Sequence, residues 1–518
     1  MSRVCGAALV GVDGVAVEVE VRISSQLPRI DIVGLPEAAV RESAARVRAA
    51  IAATGEKFPD RRVTVNLAPA SLKKSGAGLD LPIAVGILAA AGVLEHDRLE
   101  GRMFSGELAL DGRLRPVRGA LSQVLAARDL GCREAFVAGA SAEEAAIAPG
   151  IDVFGAAHLG EVLAHLRGAE ALDVHCANAI EAFNAFNAKA QGEGDPEDHT
   201  LCLRDVRGQE TAKRALEIAA AGGHGLLFSG PPGSGKSMLA RRLPGLLPQL
   251  SLDEAIEVTR IHSAAQRLDA HTPIVHERPF RAPHHTASAA GMMGGGSPPT
   301  PGEVSLAHRG VLFLDELPEF DRRTLESLRE VLESGLVRLA RAGVSCTFPA
   351  AFQLIAAANP CPCGWYQSGV RDCRCDDAAI ARYRQRISGP LLDRIDLHVG
   401  VPAQAWRELE APSAGASTHE RRERVCEARE RQRARGVERN ADIPDAQLDA
   451  CVGAEPEASA LLGNAVDRFR LSARAARRVL RCARTIADLG GHANVTPADI
   501  AEALSTRSET QGSNAGLA

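Results

Sequence analysis

The chain has 518 residues, more than one hydrophobic core usually supports, so its length predicts about three domains. The net charge of −5 excludes a protein that binds nucleic acid through an overall positive charge, so any DNA contact must come from local patches. The sequence has no run of about 18 apolar residues, no secretory signal pattern and no regular cysteine framework, which indicates a cytoplasmic protein with reduced thiols and no membrane partner.

Composition and periodicity divide the chain into five segments. Residues 1–170 alternate strand-like runs such as GVAVEVEVRI with alanine-rich helical stretches, which predicts an α/β domain. The polar segment 171–200 ends in QGEGDPEDHT and is typical of a linker. A second α/β segment covers residues 201–401. Helical periodicity follows over residues 402–506, and the tail 507–518 has the composition of a disordered segment.

A phosphate-binding loop lies in the second α/β segment, where the apolar run LLF is followed by GPPGSGKS and a helical pattern. Glycines let backbone N–H groups turn towards a phosphate, and the N-terminus of the next helix adds its dipole. Lys236 is expected to contact the β- and γ-phosphates and Ser237 to ligate Mg²⁺. The alternative for this stretch, an ordinary Gly/Ser-rich turn, is disfavoured. The residues assigned to ATP are Gly230, Pro231, Pro232, Gly233, Ser234, Gly235, Lys236 and Ser237.

Two further apolar runs end in polar side chains. RGVLFLDELPEF places Asp315 and Glu316 at the end of a buried strand, where open α/β sheets bind their ligands. We expect Asp315 to hold Mg²⁺ through water and Glu316 to polarise the attacking water. Asn359 ends the run FQLIAAAN, and at the tip of a strand between the two motif strands it can orient that water. Together these motifs predict an NTPase.

Four cysteines follow Asn359 in the stretch NPCPCGWYQSGVRDCRC. Four thiolates suit a closed tetrahedral Zn²⁺ site, although the C-x-C spacing is tighter than usual. An unmetallated loop and an iron–sulfur or redox site remain as alternatives, and disulfides are disfavoured in a reducing cytoplasm. A zinc-clamped loop would hold the Asn359 strand tip still. The four assigned ligands are Cys361, Cys363, Cys373 and Cys375.

The motif order resembles that of the AAA+ ATPases. There, the position of Asn359 is called sensor 1. Arg394, in RISGPLLDRIDLHV, stands where that family places an arginine finger that reaches the neighbouring subunit, and Arg474, in LSARAARRV, matches sensor 2. A surface salt bridge is the alternative for either arginine.

The stretch RPFRAPHHTASAAGMMGGGSPPTPGEVSLAHRG, together with GLPEAAVRESAARVRAAI and NPCPCG, resembles the magnesium-chelatase-type AAA+ proteins, and specifically the ComM/YifB family. The resemblance covers nearly the whole chain. It implies a Lon-protease-like α/β domain at 1–170, an AAA+ P-loop domain with a parallel sheet at 201–401 and a C-terminal α-helical lid at 402–506. It also implies a homo-oligomer, a hexameric ring in this family, that hydrolyses ATP with Mg²⁺ and acts on DNA as a branch-migration helicase in natural transformation.

Local arginines are the places where DNA contact is expected. LVRLARAGVSCTFPAAFQ predicts a hairpin that resembles a pore hairpin of the helicase-like branch, with Arg338 and Arg341 as phosphate contacts or as exposed arginines of a solvated hairpin. The segment 419–440 holds eight arginines interleaved with glutamates. Its i,i+3 and i,i+4 spacing favours a solvated, salt-bridged helix over a DNA-facing surface.

The Lon-like resemblance raises the alternative of an ATP-dependent peptidase, which needs a Ser-Lys dyad. The matching segments place Asp80 at the nucleophile position and Ala120 or Leu121 at the base, so neither partner is present. The remaining alternative is a chelatase-like remodeller that uses ATP to change the conformation of a partner protein.

Overall fold

A computed structural model describes residues 1–507 except 75, 176–177, 192–200, 269–272, 342–343, 405–409 and 411–414. Within these residues, no helix is both long and apolar enough to cross a membrane. The described part of the tail expected at 507–518 ends at Arg507, and the remainder lies outside the described residues.

The N-terminal domain is built on a seven-stranded mixed sheet. Its long strand Asp13–Ser24 alternates buried valines with polar residues, as expected for a strand with one face on the core. Helix Asp80–Ala90 is almost entirely buried because it packs between that sheet and helix Ala38–Ala53. Across the sheet, the strands are Arg29–Val33, Arg62–Ala68, Asp13–Ser24, Ser2–Val10, Arg102–Ser105, Glu134–Ala138 and Asp152–Ala156. The other elements are helices Ala120–Asp129, Gly139–Ala145 and Leu159–Arg167 and the short pair Glu107–Leu108 and Leu114–Arg115.

Asp80, at the position that corresponds to the Lon nucleophile, is held in an ion pair. Its carboxylate accepts two hydrogen bonds from Arg46, at 2.7 and 3.0 Å, and one from the backbone N–H of Leu108 at 3.2 Å. The side chain is only 1% exposed, and this burial outweighs the guanidinium and raises the pKa of the Asp80 carboxyl. Asp80 therefore has a structural role at the beginning of a buried helix.

The segment expected to be a linker contains a helix, Asn178–Gln191. Its Phe183 is 3% exposed and belongs to an apolar cluster that also includes Leu121, Val124 and Leu250. The polar composition of 171–200 did not predict this helix. A few apolar side chains, Phe183 among them, are enough to anchor it.

The second α/β domain has a five-stranded parallel sheet in the order Phe280–Arg281, Val311–Leu314, Gln353–Ala358, Leu226–Ser229 and Leu397–Gly400. The strand that ends before Asn359 thus lies between the two motif strands, as expected. The helices are Glu210–Gly222, Lys236–Ala240, Leu243–Leu246, Leu252–Ala264, Ala289–Met293, Glu303–Leu306, Arg322–Ser334, Asp377–Arg384 and Gly389–Leu392. Two hairpins complete it, Gly294–Gly295 with Thr300–Pro301 and Leu336–Arg341 with Val344–Pro349.

The C-terminal part is helical, as expected, with helices Thr418–Ala434, Leu448–Val452, Pro456–Phe469, Ala473–Gly490 and Pro497–Ser505. It shares one apolar core with the parallel sheet, in which Phe228 and Val399 pack with Val425 and Ile486.

The arginine-rich helix Thr418–Ala434 differs from the expected solvated helix. Arg421 and Arg424 both pair with the buried Glu217 of the second α/β domain, at 3.1 and 2.6 Å. Arg429 is also buried, whereas Arg431 keeps an i,i+4 pair with Glu427. The helix spacing predicted the local pairs, but the Glu217 partner of Arg421 and Arg424 lies 204 and 207 positions earlier in the sequence.

The N-terminal domain contacts helix Leu252–Ala264 through polar groups. Arg260 pairs with Asp13 at 2.6 Å, and the Ser263 hydroxyl donates to Glu144 at 2.6 Å while accepting from the Gly119 N–H at 3.0 Å. Burial raises the pKa of the Glu144 carboxyl.

A buried histidine joins the parallel sheet to the last long helix. His224 contacts Asp396 at 3.0 Å and Thr485 at 2.8 Å, and Arg478 pairs with Asp396 at 2.6 Å. Burial lowers the pKa of His224, but the sulfur of Cys482 and the Asp396 carboxylate outweigh burial and raise this pKa to about 10. The stabilisation of the fold by protonated His224 is complete below the pKa of histidine in the unfolded chain, and it is lost as the pH rises through the pKa of His224 in the folded protein.

We expect this histidine to make stability fall between pH 7 and 9, because the folded state keeps a proton there that the unfolded state has lost. One such proton changes the free energy of unfolding by about 1.4 kcal/mol per pH unit. Denaturant titrations at pH 7, 8 and 9 should show this slope in the wild type and a flatter one in His224→Gln. The exposed His96→Gln serves as control, and equal slopes in wild type and His224→Gln would contradict the assignment.

Candidate nucleotide site and cysteine cluster

The phosphate loop leaves strand Leu226–Ser229 and enters helix Lys236–Ala240, as the sequence predicted. Gly233 and Gly235 have φ of +77° and +94°, which glycine adopts without steric cost. No heavy atom lies within 4 Å of the position of a Cβ on either glycine, so the loop forms an open cradle of backbone groups. A phosphate group fits this cradle.

Lys236 is held within the loop. Its ammonium group donates to the carbonyl oxygens of Gly230 and Pro231 at 2.7 and 2.8 Å, and to Asn359 Oδ1 at 3.2 Å. Burial lowers the pKa of Lys236, while the carboxylates of Asp315 and Glu316 oppose this shift. The Lys236 ammonium group therefore lies where a bound phosphate would replace its carbonyl partners.

Ser237 and Asp315 lie together at the edge of the sheet, with the Ser237 hydroxyl donating to Asp315 Oδ2 at 2.6 Å. One hydroxyl oxygen and one carboxylate are the oxygen ligands that Mg²⁺ prefers, with water and phosphate completing its octahedron. The donor set fits the expected cation.

Glu316 follows with an unusual backbone. Its φ of +52° lies in the left-handed region that non-glycine residues rarely occupy, and such strain concentrates at functional sites. The backbone N–H of Glu316 donates to Asp315 Oδ1 at 3.0 Å, and its half-exposed carboxylate contacts His285 Nδ1 at 3.2 Å. This contact places His285 beside Glu316, the residue expected to polarise the attacking water.

Arg394 and Arg474 occupy different environments. Arg394, 8% exposed, pairs with Glu333 and donates to the Pro390 carbonyl at 2.6 Å, all within its own chain. Arg474 lies exposed in the first turn of helix Ala473–Gly490. The structure thus shows Arg394 in the salt-bridged arrangement, and reaching a neighbouring subunit would require release from Glu333.

The four cysteines converge on one point. Their sulfur atoms all lie within 4.8 Å of one another, with separations of 3.4, 3.6 and 3.7 Å among Cys361, Cys363 and Cys373. A Zn–S bond of about 2.3 Å in a tetrahedron gives S–S separations of about 3.8 Å. The backbone N–H groups of Arg374 and Trp365 lower the pKa of Cys363 to about 6, and the Tyr366 N–H points at Cys361 at 3.4 Å. The group of thiols, with N–H donors around it, fits a zinc ion.

The cysteine loop touches the phosphate loop directly. Gly364, between the first cysteine pair and the aromatic residues, has φ of +82°, and a Cβ there would lie 2.5 Å from the ring of Pro232. The same Cβ position is 3.9 Å from the side chain of Asn359. The sequence placed the cluster beside Asn359, and the structure adds the contact with the phosphate loop.

The expected hairpin is present, with Leu336–Arg341 paired to Val344–Pro349. Val337, Cys346 and Phe348 are buried on one face, while Arg338 is exposed on the other. The side chain of Arg341 lies outside the described residues.

Comparison with known proteins agrees with this architecture. Residues 202–409 match the family "Magnesium chelatase, subunit ChlI", residues 19–141 match "Subunit ChlI of Mg-chelatase", and residues 415–507 match its C-terminal family. An uncharacterized protein of Mycobacterium tuberculosis is 44% identical over 513 residues, covering 98% of both chains. Competence protein ComM of Haemophilus influenzae and uncharacterized protein YifB of Escherichia coli are each 43% identical, over 502 and 501 residues and 96% of both chains.

The parallel sheet, the phosphate loop and the helical C-terminal part define a magnesium-chelatase-like protein of the AAA+ class. Within that class, near full-length identity of 43–44% shows that the chain belongs to the ComM/YifB family.

Proposed function

We propose that the protein is an ATP-hydrolysing ring motor that acts on DNA, as a helicase that promotes branch migration in recombination and natural transformation. One observation supports the ATPase part: five side chains of the chemistry needed to bind phosphate, a cation and water converge at one edge of one parallel sheet. They are Lys236, Ser237, Asp315, Glu316 and Asn359. Support for the DNA part comes from the 43% identical relative that is named a competence protein.

Each residue of this edge has a definite task in the proposed reaction. ATP, the substrate, would supply the phosphoryl group, and Mg²⁺, when bound, would neutralise part of its charge. Lys236 binds phosphate oxygens in place of its carbonyl partners, and Ser237 and Asp315 hold the cation. Glu316 takes the proton of the attacking water, which Asn359 orients.

A homo-oligomeric ring, a hexamer in our proposal, would complete the site. We assign Arg394 of one subunit to the nucleotide of its neighbour, after Glu333 releases it, because an arginine supplied in trans stabilises charge on the transferred phosphoryl group. Arg474 is assigned to the nucleotide of its own subunit, since it matches sensor 2 and is exposed in the first turn of helix Ala473–Gly490. The cysteine cluster is assigned to structural zinc.

DNA contact is assigned to the exposed hairpin. Arg338 and Arg341 would bind backbone phosphates, which positions DNA without reading its sequence. Replacing both with alanine should reduce the slope of log affinity against log salt concentration by about 2, since each phosphate contact contributes about one. Arg323→Ala, an exposed arginine on the preceding helix, should leave the slope unchanged.

The decisive experiment measures ATPase rates without DNA and with single-stranded DNA, duplex DNA and a four-way junction. We expect DNA to stimulate hydrolysis, and the double hairpin variant to lose that stimulation while its rate without DNA is retained. If DNA neither binds nor stimulates, the motor proposal fails. The chelatase-like remodelling of a partner protein, favoured by the three chelatase family matches, then takes its place.

A further inference from the structure

A second cavity lies at the opposite end of the parallel sheet from the phosphate loop. It has a volume of about 390 Å³ and lies between the ATPase domain and the C-terminal helices. Gly310 and Gln353 line it at the beginning of the strands that lead to Asp315 and Asn359. A strand of four residues, Val311–Leu314, separates the two ends by about 13 Å. The cavity is therefore distinct from the nucleotide site.

Five arginines line this cavity, which we call the arginine cavity: Arg278, Arg309, Arg429, Arg433 and Arg439. The acidic side chains that line it are Asp253, Glu254 and Glu438. The lining side chains thus have an excess of two positive charges. Three of the arginines have carboxylate partners within 3.1 Å: Arg278 with Glu254, Arg309 with Glu257 and Arg439 with Asp442.

Arg429 and Arg433 differ from the other three. Among the ion pairs of the described residues, neither has a carboxylate partner, and Arg433 is exposed. Arg429 is only 8% exposed; it donates to the carbonyls of Ala220 at 2.7 Å and Glu438 at 3.3 Å, and its Nε has no partner among the described residues. Buried charges in proteins are normally paired, so this cation lacks its usual compensation.

The electrostatics agree with an uncompensated cation. Burial lowers the pKa of Arg429, and the nearby cations Arg439 and Arg278 lower it further, to about 9. Burial also lowers the pKa of Arg278, although Glu254 opposes the shift. A bound anion would reverse both effects because it would favour the charged guanidinium groups.

We propose that the arginine cavity binds a terminal phosphate dianion. Guanidinium groups bind phosphate through paired N–H donors, and the two unpaired arginines match its two charges. The volume of the cavity lies at the lower end of the range for small-ligand pockets, which suits a small phosphate-bearing anion or the phosphorylated end of one DNA strand. Arg278 and Arg309 belong to the ATPase domain, whereas Arg429, Arg433 and Arg439 belong to the helical part. The anion would therefore cross-link the two parts.

The test uses inorganic pyrophosphate and the full chain with Lys236→Ala, which removes the ammonium group of the phosphate loop. Titration calorimetry should detect pyrophosphate binding to this variant. Adding Arg433→Ala should weaken binding at least about tenfold, a loss typical of one charge-assisted contact. Arg433 is exposed and has no ion-pair partner among the described residues, so the fold should persist, as equal melting temperatures without ligand will show.

The matched control is Arg431→Ala in the same Lys236→Ala background. Arg431 lies on the same helix but outside the cavity, paired with Glu427, and its loss should change affinity by less than about twofold. Pyrophosphate should also raise the melting temperature of the Lys236→Ala protein, and raise that of the Arg433→Ala version by less. No binding to Lys236→Ala, or equal affinity in all three proteins, would overturn the proposal.

Competition separates the two sources of such a phosphate. If a 5′-phosphorylated 12-residue oligonucleotide displaces pyrophosphate and its unphosphorylated form does not, the source is a DNA end. If neither competes, the site takes a free small anion, and the proposal also holds. Equal competition by both oligonucleotides would overturn it, because the site would then bind backbone phosphates instead of a terminal dianion.

Discussion

Glu316→Gln is expected to reduce the ATPase rate by at least about 100-fold while leaving nucleotide binding intact. Glutamine keeps the size of the side chain but cannot accept the proton of the attacking water. Glu316 is half exposed, so the substitution should not disturb the sheet. Steady-state phosphate release gives the rate, and a fluorescent ATP analogue gives the affinity.

The control for this prediction is Glu319→Gln, a carboxylate three residues later that pairs with Arg386 at 2.6 Å at the surface. It should change the rate by less than about threefold, as expected for a surface pair. Equal rates in wild type and Glu316→Gln would remove Glu316 from the catalytic role. A loss of nucleotide binding in Glu316→Gln would instead show that the carboxylate supports the site as a whole.

Substituting His285 should have a different effect from substituting Glu316 in the same assays of ATPase rate and nucleotide affinity. Its ring contacts the Glu316 carboxylate at 3.2 Å and therefore acts through that residue, as a positioning group. The sequence showed two adjacent histidines, and only the fold determines which of them reaches Glu316, at the end of strand Val311–Leu314. The position of Glu316 at the end of a strand was predictable, because an acidic pair directly after a buried strand is a local feature.

The predictable parts of this protein are the ones that short-range sequence controls. A strand, a glycine-rich turn and a helix follow one another around Lys236, and buried runs lead to Asp315 and Asn359. The order of the strands then brought the three together as expected.

The parts that sequence did not predict depend on partners distant in the chain. The arginines of helix Thr418–Ala434 were expected to face solvent, yet Arg421 and Arg424 share the buried Glu217. Helical periodicity identifies a face but not the element that covers it. The same reason explains why helix Asn178–Gln191 was taken for a linker, since its anchor Phe183 packs against residues from both domains.

Replacing Cys361 and Cys363 with serine should remove bound zinc and lower the ATPase rate at least about tenfold. Metal content should fall from about one zinc ion per chain to none, because two remaining thiolates cannot close a tetrahedral site. The rate should fall because Gly364 packs against Pro232 of the phosphate loop and lies near Asn359. Without the metal, the loop that supports both would move, and a small displacement of positioned groups has a large effect on rate.

The matched control is Cys426→Ser, a half-buried cysteine on helix Thr418–Ala434 outside the cluster, which should retain both zinc and activity. Elemental analysis and phosphate release measure the two quantities independently. Unchanged zinc in the double variant would exclude these cysteines as ligands. Loss of zinc with full activity would show that the cluster has no part in holding the phosphate loop, and its role would then lie in contacts with a neighbouring subunit.

Gly364→Ala should reproduce the loss of activity without loss of zinc, because Gly364 leaves no room for a side chain beside Pro232. This combination of results would tie the cysteine loop to the phosphate loop through packing.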